Sequence, residues 1–349
     1  MEFVTEYGLF LAKTVTILVA VILVIMVLFG LGQRNRRSTR GHIEVRSLND
    51  AIDDVMRAMK NAILDEHSFK LEEKSRKKSA KSDKKARKKQ YAKGSEPRRR
   101  VYVIDFEGDL QASDVANLRE EVTAILSVAG EGDEVVLRLE SPGGQVHGYG
   151  LAASQLSRIV SRNIQLTVAV DKVAASGGYM MACIGTRIIA APFALLGSIG
   201  VVAQLPNFHR FLDKQDVDFE VFTAGEYKRT VTIFGENTEK GREKFQEELE
   251  DVHRLFKDFV GENRPGLDVD AVSTGEAWYG KRALEHRLVD EIKTSDEYIV
   301  GKCADCDVYK VKYVEDKKRI DKLMDKFSSM FTRFRSSRDL AAPRGPWQF

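Results

Sequence analysis

The 349-residue sequence predicts an α/β protein with mainly parallel strand pairing, set behind an N-terminal membrane span and a long charged linker. Three observations carry this reading. From Val101 onward, short β-branched runs alternate with helix-length stretches, the pattern of a parallel sheet with crossover helices. Thr14 to Gln33 is a run of 20 residues without a charge. Lys70 to Arg100 holds 15 Lys/Arg against 4 Asp/Glu, a net of +11, so the remaining residues carry −8 of the overall +3. The basic character therefore belongs to one segment.

In chain order, the uncharged run comes first. As a helix it would span roughly 30 Å, the thickness of a hydrocarbon core. Its leading segment is acidic (Glu2, Glu6), and no small-residue cleavage site follows, so a retained anchor over residues 1–33 is expected rather than a cleaved signal. Arg34, Arg36, Arg37 and Arg40 lie just beyond it and by the positive-inside rule point the C-terminal bulk toward the cytoplasm. Residues 34–100 then form an amphipathic and basic linker. Leu48, Ile52, Val55, Met56, Met59, Ile63 and Leu64 recur at helical spacing, to pack on the body or lie on a membrane surface. Lys70–Arg100 has almost no apolar residues and cannot bury a core. It reads as a solvated linker or a long exposed helix. Acidic lipid headgroups are its expected partner. Nucleic acid is not expected, because aromatics are not interleaved with the bases and no recognition module is present.

The body is expected over 101–315. Val101–Phe106 and Glu134–Leu139 read as strands, with a helix over Gln111–Val128 between them. Ser141-Pro142-Gly143-Gly144 leads into a helix over Val146–Ser161, and Ile164–Val170 is a buried strand. Further strands are expected at Arg187–Ala190, Ser198–Ala203 and Phe219–Phe222. The apolar run from Ile188 to Leu205 is not a second membrane span, because Arg187, Pro192 and several Gly and Ser residues interrupt it. In the tail, 316–349, Leu323, Met324, Phe327, Met330, Phe331 and Phe334 recur at helical spacing among Lys and Arg, suiting a membrane surface or a subunit interface.

The chemistry centres on Asp171–Gly185, where Ser176-Gly177-Gly178 joins a strand to a helix. That junction sets a hydroxyl at a helix N-terminus, where unpaired amides favour negative charge. Glycine at 177 admits a substrate carbonyl close to the backbone. Gly143-Gly144 follows another strand end, so the two loops together offer two amides to one oxyanion. The plain alternatives are an N-cap serine and a glycine-requiring turn. A serine nucleophile also needs a base. Lys228, in Gly225-Glu226-Tyr227-Lys228, is a candidate, and His147, Lys172 and Lys214 are rivals. Cys183, Cys303 and Cys306 make no disulfide framework, and the lone Cys303-x-x-Cys306 lacks the second pair of a zinc site.

Ser176-Gly177-Gly178-Tyr179, Ser141-Pro142-Gly143-Gly144, Leu196-Gly197-Ser198-Ile199-Gly200-Val201 and Gly225-Glu226-Tyr227-Lys228 together resemble the signal peptide peptidase SppA family. Trp278-Tyr279-Gly280 followed by Leu288-Val289-Asp290-Glu291 fits the same pattern. The resemblance covers about residues 100 to 300 and the layout of the N-terminal region. It implies a ClpP/crotonase-like core of repeated ββα units, with Ser176 as nucleophile and Lys228 as general base. It further implies Ser198 as a hydroxyl holding the lysine, and the amides of Gly144 and Gly177 as oxyanion donors. Peptide or protein substrates, assembly of copies into rings and a bacterial inner-membrane location follow from it, with no cofactor and no metal. Family members face outward, against the charge bias here, so the side of the membrane stays open. A crotonase-like acyl-CoA enzyme, or a non-catalytic membrane scaffold in which Ser176 is only a cap, are the competing functions.

Overall fold

The computed structural model describes residues 9–11, 13–20, 41–92 and 98–315. Residues 9–11 and 13–20 are helical. Most of the expected anchor over Thr14–Gln33, residues 93–97 of the linker and the 316–349 tail lie outside the described residues. Among the described residues, no helix is long and apolar enough to cross a membrane.

The element order begins β1 (Gly41–Ser47), α1 (Leu48–Ile63), α2 (Glu66–Ala92), β2 (Arg100–Glu107), α3 (Val115–Leu126), β3 (Glu134–Glu140) and α4 (Val146–Val160). It continues with β4 (Gln165–Val170), β5 (Val173–Ala175), α5 (Gly177–Ala182), β6 (Arg187–Ala190), β7 (Leu195–Gly197) and α6 (His209–Asp213). It closes with α7 (Glu239–Asn263), α8 (Val269–Val272), β8 (Ala277–Tyr279), α9 (Gly280–Glu285), β9 (Glu291–Ile292), α10 (Ser295–Asp305) and β10 (Asp307–Glu315).

Seven strands form one sheet in the order β1-β10-β2-β3-β4-β6-β9, and β5-β7-β8 form a second, smaller sheet. The large sheet pairs in parallel from β10 through β9, the arrangement that helix crossovers impose. In the small sheet β5 and β7 are parallel, and β8 runs against β7.

Helices cover both faces of the large sheet, so its strands read as nearly unbroken apolar runs. Tyr102, Ile104, Phe106, Leu137, Leu166 and Val168 face one core with Leu118 and Val122 of α3 and Leu156 and Ile159 of α4. The alternate residues Val101, Val103, Val136, Ala169, Ile189 and Val308 face Tyr298 and Ile299 of α10. Glu134 anchors that second face. Its buried carboxylate accepts from Tyr298 Oη, Thr167 Oγ1 and Lys302 Nζ, each at 2.6 Å.

Three expected elements differ. The helix expected from Gln111 starts only at Val115, because the Asp109 carboxylate accepts from the amides of Gln111 (3.1 Å) and Ser113 (2.8 Å) and holds a turn there. The strand expected over Ser198–Ala203 is absent. Pairing stops at Gly197, where Gly197 (φ 95°) and Ser198 (φ 48°) turn the chain out of the small sheet. Phe219–Phe222 pairs with no strand among the described residues; its aromatic character is used locally, Phe219 lying 5.5 Å from the Phe234 ring. The basic linker is a helix over most of its length, α2.

Candidate functional site

Ser176 sits where the small sheet meets α5. Strand β5 is clasped on one side by Ser141, whose amide donates to Val173 O (2.8 Å) and whose carbonyl accepts from Ala175 N (3.0 Å). On the other side Ser176 N donates to Gly197 O at 2.8 Å. The register Ala175↔Gly197 therefore brings Ser176 and Ser198 to neighbouring strand ends. Both serines have left-handed φ, 53° and 48°. For a non-glycine residue such a backbone costs about 1–3 kcal/mol and persists only where its surroundings impose it. Here they do: the amide of Ser176 is tied to β7, and its carbonyl accepts from Met180 N at 3.0 Å in the first turn of α5. The Ser176 side chain makes no capping bond, so its hydroxyl is not occupied as an N-cap. As the first residue of α5, Gly177 presents an amide that has no intrahelical acceptor.

The second glycine loop closes on the first. A methyl group added at Gly143 (φ 90°) would lie 2.6 Å from Ala175 O, 2.7 Å from Ser176 Cβ and 2.9 Å from Gly177 N. Only a glycine permits that approach. Gly144 instead rests on the preceding turn, where an added methyl would be 2.2 Å from Leu110 O, and Gln145 N donates to the same carbonyl at 2.8 Å. Gly143 N is committed to Ser141 Oγ at 3.1 Å. Ser141 Oγ in turn lies 2.6 Å from Tyr149 Oη, which donates to Asp109 O at 2.8 Å. The Tyr149 ring also lies under Gly177, where an added methyl would be 2.4 Å from Cγ. Burial pushes the Tyr149 phenol up, so it stays protonated and can donate.

The candidate bases are placed differently. Lys228 lies on an exposed turn, its amide donating to Gly225 O at 3.2 Å, and no hydrogen bond or ion pair joins its side chain to Ser176 or Ser198 among the described residues. Its neighbours dock on α7: Glu226 pairs with Lys240 at 2.6 Å, and the Tyr227 ring faces Lys240 and Lys244. His147 is exposed in the first turn of α4, and Lys214 is exposed at the end of α6. Lys172 is taken up by Glu140 (2.8 Å), and that hydrogen bond raises its pKa, the wrong direction for a base. Cys183 caps the C-terminus of α5 and is fully buried; burial pushes its thiol up to about 12 and leaves it no nucleophile.

The structure thus brings together Ser176, Gly177, Gly143 and Ser198, with Gly144 next in the same loop, and gives the Lys228 side chain no hydrogen bond or ion pair to them among the described residues. Sequence reading missed Tyr149, the one large side chain in Gly148-Tyr149-Gly150, and its link to Ser141. A lone buried aromatic between two glycines was the available signal. It also missed what the C-terminal motifs do here. Trp278 packs on Gly197, leaving no space for a side chain there. The Leu288 carbonyl accepts from Tyr179 Oη at 2.9 Å, holding α5. Asp290 accepts from Ile188 N at 2.7 Å and pairs with Arg264 at 2.6 Å.

Comparison with known proteins gives the class, a peptidase. Residues 2–156 match the family description "Peptidase family S49 N-terminal", and residues 158–307 match "Peptidase family S49". The chain belongs to peptidase family S49, in its SohB branch. A Haemophilus influenzae relative described as "Probable protease SohB" is 53% identical over 325 residues, covering 92% of each chain. A second of the same description, from Buchnera aphidicola, is 46% identical over 308 residues and covers 86% of this chain and 100% of its own. Among solved structures, a membrane-bound stomatin-specific protease in complex with a substrate peptide is 12% identical with a TM-score of 0.42, covering 67% of this chain and 100% of that one.

Proposed function

We propose that the protein is a membrane-anchored serine endopeptidase with a ClpP/crotonase-like core, cleaving signal-peptide-like or unfolded segments through an acyl-enzyme. The observation that carries this is Ser176. It is a strained, uncapped serine at a strand–helix junction, with the amide of Gly177 free beside it and the Gly143-Gly144 loop pressed against it. In the reaction, Ser176 Oγ attacks the scissile carbonyl carbon and its proton passes to Lys228 Nζ as the general base. The oxyanion is held by the amides of Gly144 and Gly177. As the intermediate collapses, Lys228 returns the proton to the leaving amine, and a water then hydrolyses the acyl-serine with Lys228 again as base. Ser198, next to Ser176, orients the lysine.

For this, the largely exposed segment from Val202 to Glu236 must close over Ser176, with substrate or on assembly with further copies of the chain. Support comes from the apolar surface that segment leaves uncovered, Val202 at 80% and Phe222 at 87% exposure among it. In this reading the anchor over residues 1–33 and anionic lipid near the basic linker hold the reaction at the bacterial inner membrane. No cofactor or metal enters the scheme. The test is peptide cleavage, and labelling by a serine-reactive phosphonate, with the detergent-purified wild type, Ser176→Ala and Lys228→Ala. The proposal expects both variants to be folded and inactive. Full activity in Lys228→Ala would move the base elsewhere, and failure of the wild type to label or to cut varied peptides would favour a scaffold.

A further inference from the structure

Helix α1 leaves an apolar stripe in solvent. Among the described residues its hydrogen bonds to the body lie at its start, where Asn49 donates to the carbonyls of Cys303 and Cys306 (both 3.0 Å) and accepts from Val308 N (2.8 Å). Leu48 packs on the core, but Val55 (65% exposed), Met56, Met59 (58%) and Ile63 (72%) follow at helical spacing on one face and stand clear of it. Sequence periodicity left open whether this face covers the body, and it does not. A two-residue connection reverses the chain into α2, and Arg57–Glu73 (3.4 Å) and Lys60–Glu72 ion pairs hold the first turns of α2 against α1. Those pairs use up acids of α2. Its later turns present Lys74, Lys77, Lys78, Lys81 and Lys85 to solvent.

An apolar stripe flanked by a dense cationic helix matches a surface that is apolar beneath and negative above. That is the interface of an anionic bilayer, into which an amphipathic helix sinks its apolar face while lysines meet headgroups. Nucleic acid would engage the lysines of α2 and leave the stripe wet. The reach is short: about 15 residues separate Gln33, the end of the uncharged run, from Leu48, and a chain of that length extends at most about 50 Å. We infer that the α1–α2 hairpin is a second, reversible membrane contact of this protein, in which α1 lies in the interface of an anionic phospholipid bilayer and α2 binds its headgroups. This rests on the anchored reading above and adds a lipid-dependent seat for the catalytic body.

The test uses the full chain with Cys303→Ser, since Cys183 and Cys306 are buried, and Met59→Cys carrying an environment-sensitive fluorophore. It is reconstituted in phosphatidylcholine vesicles with or without phosphatidylglycerol. With phosphatidylglycerol the emission shifts to the blue and is quenched by spin-labelled lipid, and without it the label reports water. Neutralising Lys74, Lys78 and Lys81 to Gln weakens the contact on the order of fivefold per lysine. A label that reports water in both vesicles overturns the proposal. So does a blue shift that persists in detergent and grows with protein concentration, which would mean that a second copy covers the stripe. Alkaline carbonate extraction is read separately. A protein that resists extraction while its label stays wet keeps its anchor and loses only the hairpin contact, whereas extraction of the whole protein overturns the anchor itself.

Discussion

Tyr149 Oη lies 2.6 Å from Ser141 Oγ, and the direction of that hydrogen bond is settled by its neighbours. Tyr149 has one proton, which goes to Asp109 O at 2.8 Å, so Ser141 must donate to Tyr149 while accepting from Gly143 N. The result is a one-way chain, Gly143 N–H to Ser141, to Tyr149, to the Asp109 carbonyl. It holds the glycine loop against Ser176 from below. Tyr149→Phe keeps the ring under Gly177 and breaks the chain. The expected outcome is a loss of about 1 kcal/mol in stability with a fall in kcat on the order of tenfold and little change in KM. Steady-state peptide cleavage measured beside thermal unfolding decides it, and an unchanged kcat would remove Tyr149 from the positioning of the loop.

Ser176 holds φ 53° without being glycine. Ser176→Gly relieves that strain, whereas Ser176→Ala retains it. Both variants should be inactive, but the glycine variant should unfold at higher temperature, by about 1 kcal/mol of stability over the alanine variant. Thermal unfolding of the two detergent-purified proteins side by side checks this, and equal melting would show that the turn is not strained.

Glu121 carries a pH dependence. It is 5% exposed, its Oε1 accepts from Tyr313 N at 2.8 Å, and its Oε2 has no hydrogen-bond partner among the described residues. Burial raises its pKa from 4.5 to about 7. The folded state therefore binds this proton more tightly than the unfolded chain. Its contribution is fully present below pH 4.5 and is lost as pH rises through about 7. Glu121→Gln, which keeps an acceptor for Tyr313 N, should flatten the fall in stability across that window by up to about 3 kcal/mol. Unfolding curves collected from pH 4.5 to 8 compare the two slopes.

Lys302 supplies the one cation facing the buried Glu134 carboxylate among the described residues, at 2.6 Å. Lys302→Met should cost about 3 kcal/mol by leaving that charge uncompensated. Adding Glu134→Gln should restore most of it, because the amide still accepts from Tyr298 and Thr167. A double-mutant cycle measures the recovery.

Much of the scaffold was legible because its signals are local. β-Branched runs placed β2, β3, β4 and β6 within a residue of their observed bounds, and Ser176 was read at a strand–helix junction, where it stands. The two strand misreadings share a cause. Ser198–Ala203 and Phe219–Phe222 have strand composition, but a strand exists only where a partner edge accepts its hydrogen bonds. Gly197 and Ser198 turn the first out of the sheet, and the second packs its rings locally.

By itself, then, the sequence determined the alternation of strands and helices, the placing of one serine between a buried strand and a glycine-started helix, and the separation of charge into one basic segment. These follow from side-chain period, backbone freedom and composition, which act over a few residues. Only the tertiary structure decided that Gly143 touches Ser176, that Ser198 lies beside it, that Tyr149 ties the glycine loop down, that Lys228 stands exposed, and that α1 keeps its apolar stripe in solvent. Those relations join residues far apart in the chain, and they are set by which strand edges pair and which surfaces close-packing leaves uncovered.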